Sequence, residues 1–153
     1  MRLWHAIALV TVLWFAMYVP YLGSHEIRGE EPRRILPART MLQNGDFVVP
    51  RVGGEVYSRK PPLINWSIAA AFVITGDKVW SARVPSILWL LAFSVITVIA
   101  LQKQFGVWRA TMVALLFLSC FGVLDKGRMA EIEAMYVAQT GIAFVLWLRW
   151  WAD

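Results

Sequence analysis

Two acidic clusters and the cations around them carry the chemical interest of this 153-residue chain. Glu30 and Glu31 are adjacent and are followed by Arg33 and Arg34; Glu131 and Glu133 come after Arg128; Lys60 stands directly before Pro61-Pro62. A carboxylate beside cations suits a reaction in which a hydroxyl attacks carbon and a phosphate departs. The carboxylate takes the proton of the attacking group, and the cations stabilise the charge growing on the leaving phosphate. Glycosyl transfer from a phosphate-linked donor is such a reaction. The competing structural reading is that Glu30 and Glu31 open a helix and pair with Arg33 and Arg34. Spacing alone does not separate the two.

The elements that must position these groups are membrane helices. Hydrophobic residues make up 59% of the chain and charged ones 16%, against roughly 45–50% and 25% in an ordinary soluble domain. Mean hydropathy is +0.57. Trp4, Trp80, Trp108, Trp147, Trp150 and Trp151 lie near the ends of apolar runs, where indole rings settle at the lipid headgroup level. The net charge of +5 comes from basic residues placed between apolar spans, so anionic lipid is the expected partner and nucleic acid is not. One cysteine, Cys120, permits no disulfide and no cysteine metal site within a chain. His5 and His25 lack a second histidine at ligand spacing, and no G-x-x-x-x-G-K-[ST] loop for a nucleotide-sugar donor is present. No metal site is assigned. A divalent ion between Glu30 and Glu133 is compatible with the sequence but not required by it, and no other cofactor is implied.

The expected fold is all-α: a polytopic membrane helical bundle forming a single domain over residues 1–153. It has about four transmembrane spans, at 3–22, 79–101, 107–124 and 134–151. The first is too long for a typical signal core and has no A-x-A site after it, so it reads as a retained helix. Residues 63–75 are apolar but short of the roughly 20 residues a span needs, and read as an interfacial helix. The loop 23–62 carries seven basic and five acidic side chains. Within it, Glu30-Glu31-Pro32 opens an amphipathic helix that ends at Asn44-Gly45, with Pro37 bending or interrupting it. Val52 to Tyr57 reads as a turn or small hairpin. Arg2, Lys103, Arg109 and Arg149 fall on the cytoplasmic side by the positive-inside rule, which makes the large loop extracytoplasmic. Seven cations on that side run against the rule, and binding a phosphate at the membrane surface accounts for them.

Three stretches are more specific. Glu30-Glu31-Pro32-Arg33 is followed by Ala38-Arg39-Thr40-Met41-Leu42-Gln43-Asn44-Gly45-Asp46-Phe47-Val48-Val49-Pro50, then by Tyr57-Ser58-Arg59-Lys60-Pro61-Pro62-Leu63-Ile64-Asn65-Trp66, and later by Ala82-Arg83-Val84-Pro85-Ser86. In this order and spacing they resemble the first periplasmic loop of the C-type membrane glycosyltransferases of family 39 type. That group includes bacterial aminoarabinose-lipid A transferase and the protein O-mannosyltransferases. The resemblance covers residues 26–90, the N-terminal part of such an enzyme, whose relatives continue through many more helices.

The resemblance implies a polyprenyl-phosphate sugar as donor and a lipid, glycan or protein as acceptor, at the outer face of the cytoplasmic (inner) membrane. It places Glu30 on the catalytic acid, Glu31 and Arg33 on its neighbours, and Lys60 on the lysine that contacts the lipid phosphate. Glu133, five residues after Arg128, falls on a second acidic site. Arg83 reads either as a phosphate ligand or as an anchor of the second span. Arg83 and Arg128 complete the candidate substrate-binding set. Glu replaces the usual Asp at both 30 and 133. Arg59 replaces the acid of the aminoarabinose branch, which argues against that branch and leaves the transferred sugar, hexose or pentose, open. The alternative function is a non-catalytic polyprenyl-phosphate-binding or assembly subunit, or a truncated remnant.

Overall fold

Apolar runs interrupted by Pro, Gly and charge dictate a chain of helices, and the computed structural model has that form over its described residues, 1–152. Along the chain come α1 (Leu3–Tyr18), α2 (Pro32–Asn44), β1 (Arg51–Val52), β2 (Glu55–Val56), α3 (Leu63–Thr75), α4 (Val79–Phe105), α5 (Val107–Ser119), α6 (Phe121–Gly127) and α7 (Ile132–Ala152). The loop helix matches expectation at both ends. Pro32 occupies its first turn, and Gly45 closes it in the left-handed region at φ 70°, where a Cβ is disfavoured. The helix runs through Pro37 uninterrupted. The hairpin turns on Gly53-Gly54, both at positive φ, the conformation a two-residue hairpin loop needs. It pairs Arg51 with Val56 and Val52 with Glu55.

Two of the expected spans differ in detail. The first helix stops at Tyr18, four residues early; Pro20 has no N–H to continue it, and Tyr21 turns the chain at φ 57°. The third is broken at Cys120, where α5 and α6 meet at 61°. Tyr18 Oη donates to the Leu118 carbonyl at 2.8 Å, satisfying one of the acceptors that the end of α5 leaves open. Among the described residues, α4 alone is one helix long and apolar enough to cross a bilayer, and α5 with α6 qualifies as a bent pair.

Helix α4 is the central post, touching α1, α3, α5 and α7. Gly141 lets α7 lie close: a Cβ there would come within 2.6 Å of the Phe93 ring. One core joins α1, α4 and α5 through Val10, Trp14, Tyr18, Leu90, Val98 and Leu118. A second joins α2, α3 and α4 to the start of α7 through Ile35, Ala38, Ile64, Ile68, Ala82, Ala130 and Met135. The outward faces are apolar as well, with Val12, Phe15, Val73, Ile74, Leu116, Phe144 and Trp150 exposed. Exposed apolar side chains on α1, α3, α5 and α7 are the surface expected of a helical bundle in a membrane.

Candidate active site at the start of α2

The second core fixes α2 against α3 and α4, and so fixes the residues that open α2. Glu31 is fully buried and makes no helix-capping bond with its side chain. Its carboxylate instead takes two parallel bonds from Arg83 of α4, Nε to Oε1 at 2.8 Å and Nη2 to Oε2 at 2.9 Å. The backbone N–H groups of Ala130 and Arg28 donate at 2.8 and 3.1 Å. Burial alone would raise the Glu31 pKa. The Arg83 hydrogen bonds, the two backbone donors and the Arg83 charge outweigh it and hold the carboxyl below its ordinary value. Arg83 also donates to the carbonyls of Leu22, His25 and Glu26, which uses all five of its N–H groups. This pair therefore joins the α1–α2 connection, α2, α4 and the α6–α7 connection. What Glu31 and Arg83 give the site in this structure is position rather than a free polar atom.

Glu30, next to this anchor, has 45% of its side chain exposed. Arg33 Nη1 donates to its Oε1 at 2.6 Å, and Arg34 Nη2 lies 3.8 Å from Oε2. The bond and charge of Glu30 raise the Arg33 pKa. Arg34 is only 2% exposed. Its Nη1 donates to Tyr57 Oη at 3.1 Å, and its guanidinium faces the Tyr57 ring at 5.8 Å. Its Nε has no partner. Arg34 thus links Glu30 to the segment that carries Lys60, three residues beyond Tyr57. Lys60 is exposed, and among the described residues no carboxylate pairs with it.

The remaining motif residues hold this loop in shape. Asp46 Oδ1 accepts from the N–H groups of Val48 and Val49, Trp66 Nε1 donates to the Phe47 carbonyl at 2.7 Å, and Arg39 pairs with Asp77 at 2.8 Å. The segment carrying Lys60 is therefore anchored on either side, at Tyr57 before it and at α3 after it.

The acid of the second cluster that reaches the Glu30 segment is Glu131, whereas the resemblance gave the role to Glu133. Its Oε1 accepts from the Glu30 N–H at 3.4 Å and its Oε2 pairs with Lys126 Nζ at 3.2 Å. Glu131 precedes α7, where helical spacing gives no guide to direction. Glu133, in the first turn of α7, is exposed and borders a separate 230 Å³ recess with Leu90, Lys126 and Val137. Arg128 donates to the Pro20 carbonyl and lines a cleft together with Arg83. Among the described residues no three His, Cys, Asp or Glu side chains converge to hold a metal ion.

With this geometry in place, the comparisons with known proteins are specific. The crystal structure of ArnT from Cupriavidus metallidurans bound to undecaprenyl phosphate superposes with a TM-score of 0.81 at 22% identity, over 94% of this chain and 26% of that one. The fold is that of a C-type membrane glycosyltransferase. Residues 59–153 match the dolichyl-phosphate-mannose-protein mannosyltransferase family, and the chain belongs to it. Among curated relatives, the undecaprenyl phosphate-alpha-4-amino-4-deoxy-L-arabinose arabinosyl transferase of Yersinia enterocolitica is 30% identical over 93% of this chain. That of Serratia proteamaculans is 27% identical over 93%. The chain spans about a quarter of the length of these relatives.

Proposed function

We propose that this chain forms the acceptor-activating and phosphate-binding part of a glycosyltransferase that uses a polyprenyl-phosphate sugar. The observation that carries this is the bridge from Glu30 through Arg34 to Tyr57, which ties an accessible carboxylate to the segment bearing an unpaired lysine. In the reaction, an acceptor hydroxyl oxygen bonds to the anomeric carbon as the bond from that carbon to the phosphate oxygen breaks. The hydroxyl proton passes to the Glu30 carboxylate, and the lipid phosphate leaves with the bonding electrons. Lys60 and Arg33 stabilise its charge. Glu131 orients the Glu30 backbone from behind, and Glu133 is placed to meet an acceptor approaching from the α7 side. The sugar is a hexose or pentose, and the acceptor a lipid, glycan or protein.

The same reading sets α1, α4, the bent α5–α6 pair and α7 across the cytoplasmic membrane, with residues 23–62 outside and α3 at the interface. The TM-score with a membrane transferase and the apolar outer faces support it. The test is transfer of a radiolabelled sugar from polyprenyl phosphate in membranes that carry the protein. Glu30→Gln should abolish it and Lys60→Ala should lower it sharply, and unchanged transfer in both would overturn the proposal. Binding of polyprenyl phosphate with no transfer by the wild type would instead favour a binding or assembly subunit.

A further inference from the structure

A polar cleft lined by Arg83 but not by Glu30 or Lys60 lies between the α1–α2 connection and α6, and the transfer reaction makes no use of it. It encloses about 330 Å³, at the lower end of the roughly 300–1,000 Å³ of small-ligand sites. Its polar lining is His25, Arg28, Arg83, Arg128 and Asp125, and the aromatic residues Tyr21 and Phe121 line it as well. Arg28 is held only by a loose 3.7 Å pair with Asp125, and both side chains are about half exposed. Arg128 spends one nitrogen on the Pro20 carbonyl, and among the described residues no carboxylate pairs with it. With Arg83 neutralised by Glu31, two arginines face one aspartate, so the cleft has a cationic excess.

The aromatic lining explains what brings an anion there. Tyr21 and Phe121 are 82% and 83% exposed; Tyr21 follows the end of α1, where a tyrosine marks the headgroup level, and Phe121 stands at the bend between α5 and α6. Tyr21 is also the one non-glycine residue at positive φ among the described residues, a conformation that a bulky side chain adopts against steric cost. Arg28 and Arg128 therefore stand where a lipid phosphate at the headgroup level could reach them. Guanidinium also binds phosphate through paired N–H groups.

We infer that the cleft between the α1–α2 connection and α6, with Arg28 and Arg128 as its ligating groups, binds the phosphate of an anionic lipid headgroup. The site is separate from the proposed donor site at Lys60 and does not depend on the catalytic reading.

The test is native mass spectrometry of the purified chain after incubation with equal amounts of dioleoyl phosphatidylglycerol and dioleoyl phosphatidylcholine. Wild type should retain the anionic lipid about tenfold over the zwitterionic one, as expected for two arginines near a headgroup. The Arg28→Gln/Arg128→Gln double variant should lose that preference, and Arg28→Lys/Arg128→Lys should keep part of it. Because Arg128 also bonds to the backbone, Arg28→Gln alone is the guard against misfolding: it should weaken retention several-fold with unchanged size-exclusion and circular-dichroism profiles. Inorganic phosphate is the second arm. Competition at millimolar concentration would assign the arginines to a bare phosphate group, and no competition would assign them to the lipid as a whole. Equal retention of both lipids by wild type, or loss of retention in Lys60→Ala with none in the double arginine variant, would overturn the inference.

Discussion

Arg83 of α4 grips Glu31 at the start of α2 through two parallel bonds of 2.8 and 2.9 Å, and both side chains are almost wholly buried. The pair is 52 residues apart in sequence and closes the loop onto the helical post. Removing one partner strands the other charge away from water, which costs about 3–5 kcal/mol in such settings. Arg83→Met and Glu31→Gln should each lower the thermal midpoint in detergent sharply, and Glu31→Gln/Arg83→Met together should cost less than the sum. An additive cycle would show that the two groups are not coupled.

The same pair sets a pH dependence. The Glu31 carboxyl has a folded pKa below its ordinary value of 4.5. Its contribution to stability is therefore fully present above pH 4.5 and is lost as pH falls from there through the lower folded value. Denaturant midpoints at pH 7, 5, 4 and 3 should hold steady across the first two and then fall, and the fall should be smaller in Arg83→Met. A flat profile in both proteins would remove Glu31 as the source.

Gly141 tests how tightly α7 must sit on α4. A Cβ at this position meets the Phe93 ring at 2.6 Å, and both helices carry elements of the site. Gly141→Val should destabilise by about 1–3 kcal/mol through overpacking, and the smaller Phe93→Ala should relieve part of that when combined with it. No rescue in the double variant would place the strain elsewhere.

Much of this was legible in the sequence, for reasons that differ from residue to residue. Pro32 and Asn44-Gly45 bound α2, because first-turn proline and left-handed glycine are local devices that need no tertiary help. Leu63–Thr75 is bounded equally clearly, by Pro61-Pro62 and Gly76. The break at Cys120 was not legible, since Ala110 to Leu124 carries no charge and no proline and the carbonyl acceptor is satisfied by Tyr18, a hundred residues away. At the site, the choice for Arg83 between phosphate ligand and helix anchor depended on long-range partners, and the structure supplies five of them from three residues of loop backbone and Glu31. Glu131 was hidden by the same kind of gap: in a non-helical segment, spacing does not say which of two nearby acids turns toward Glu30.

The bridge from Arg34 to Tyr57 gives the most discriminating prediction for the proposed reaction. Tyr57 Oη accepts from a guanidinium at 3.1 Å, and hydrogen bonds to charged groups contribute about 1.5–3 kcal/mol. Tyr57→Phe keeps the ring against Arg34 and removes only that bond, so the fold should be retained. What it loosens is the segment carrying Lys60, three residues on. The expected result is a KM for the polyprenyl-phosphate donor raised about tenfold with kcat changed little. Lys60→Ala should depress kcat as well, because it removes a charge that acts on the leaving phosphate. If Tyr57→Phe and Lys60→Ala instead lower kcat equally, Tyr57 touches the reacting phosphate itself. Unchanged kinetics in Tyr57→Phe would mean that α3 and the Trp66–Phe47 bond are enough to place the lysine.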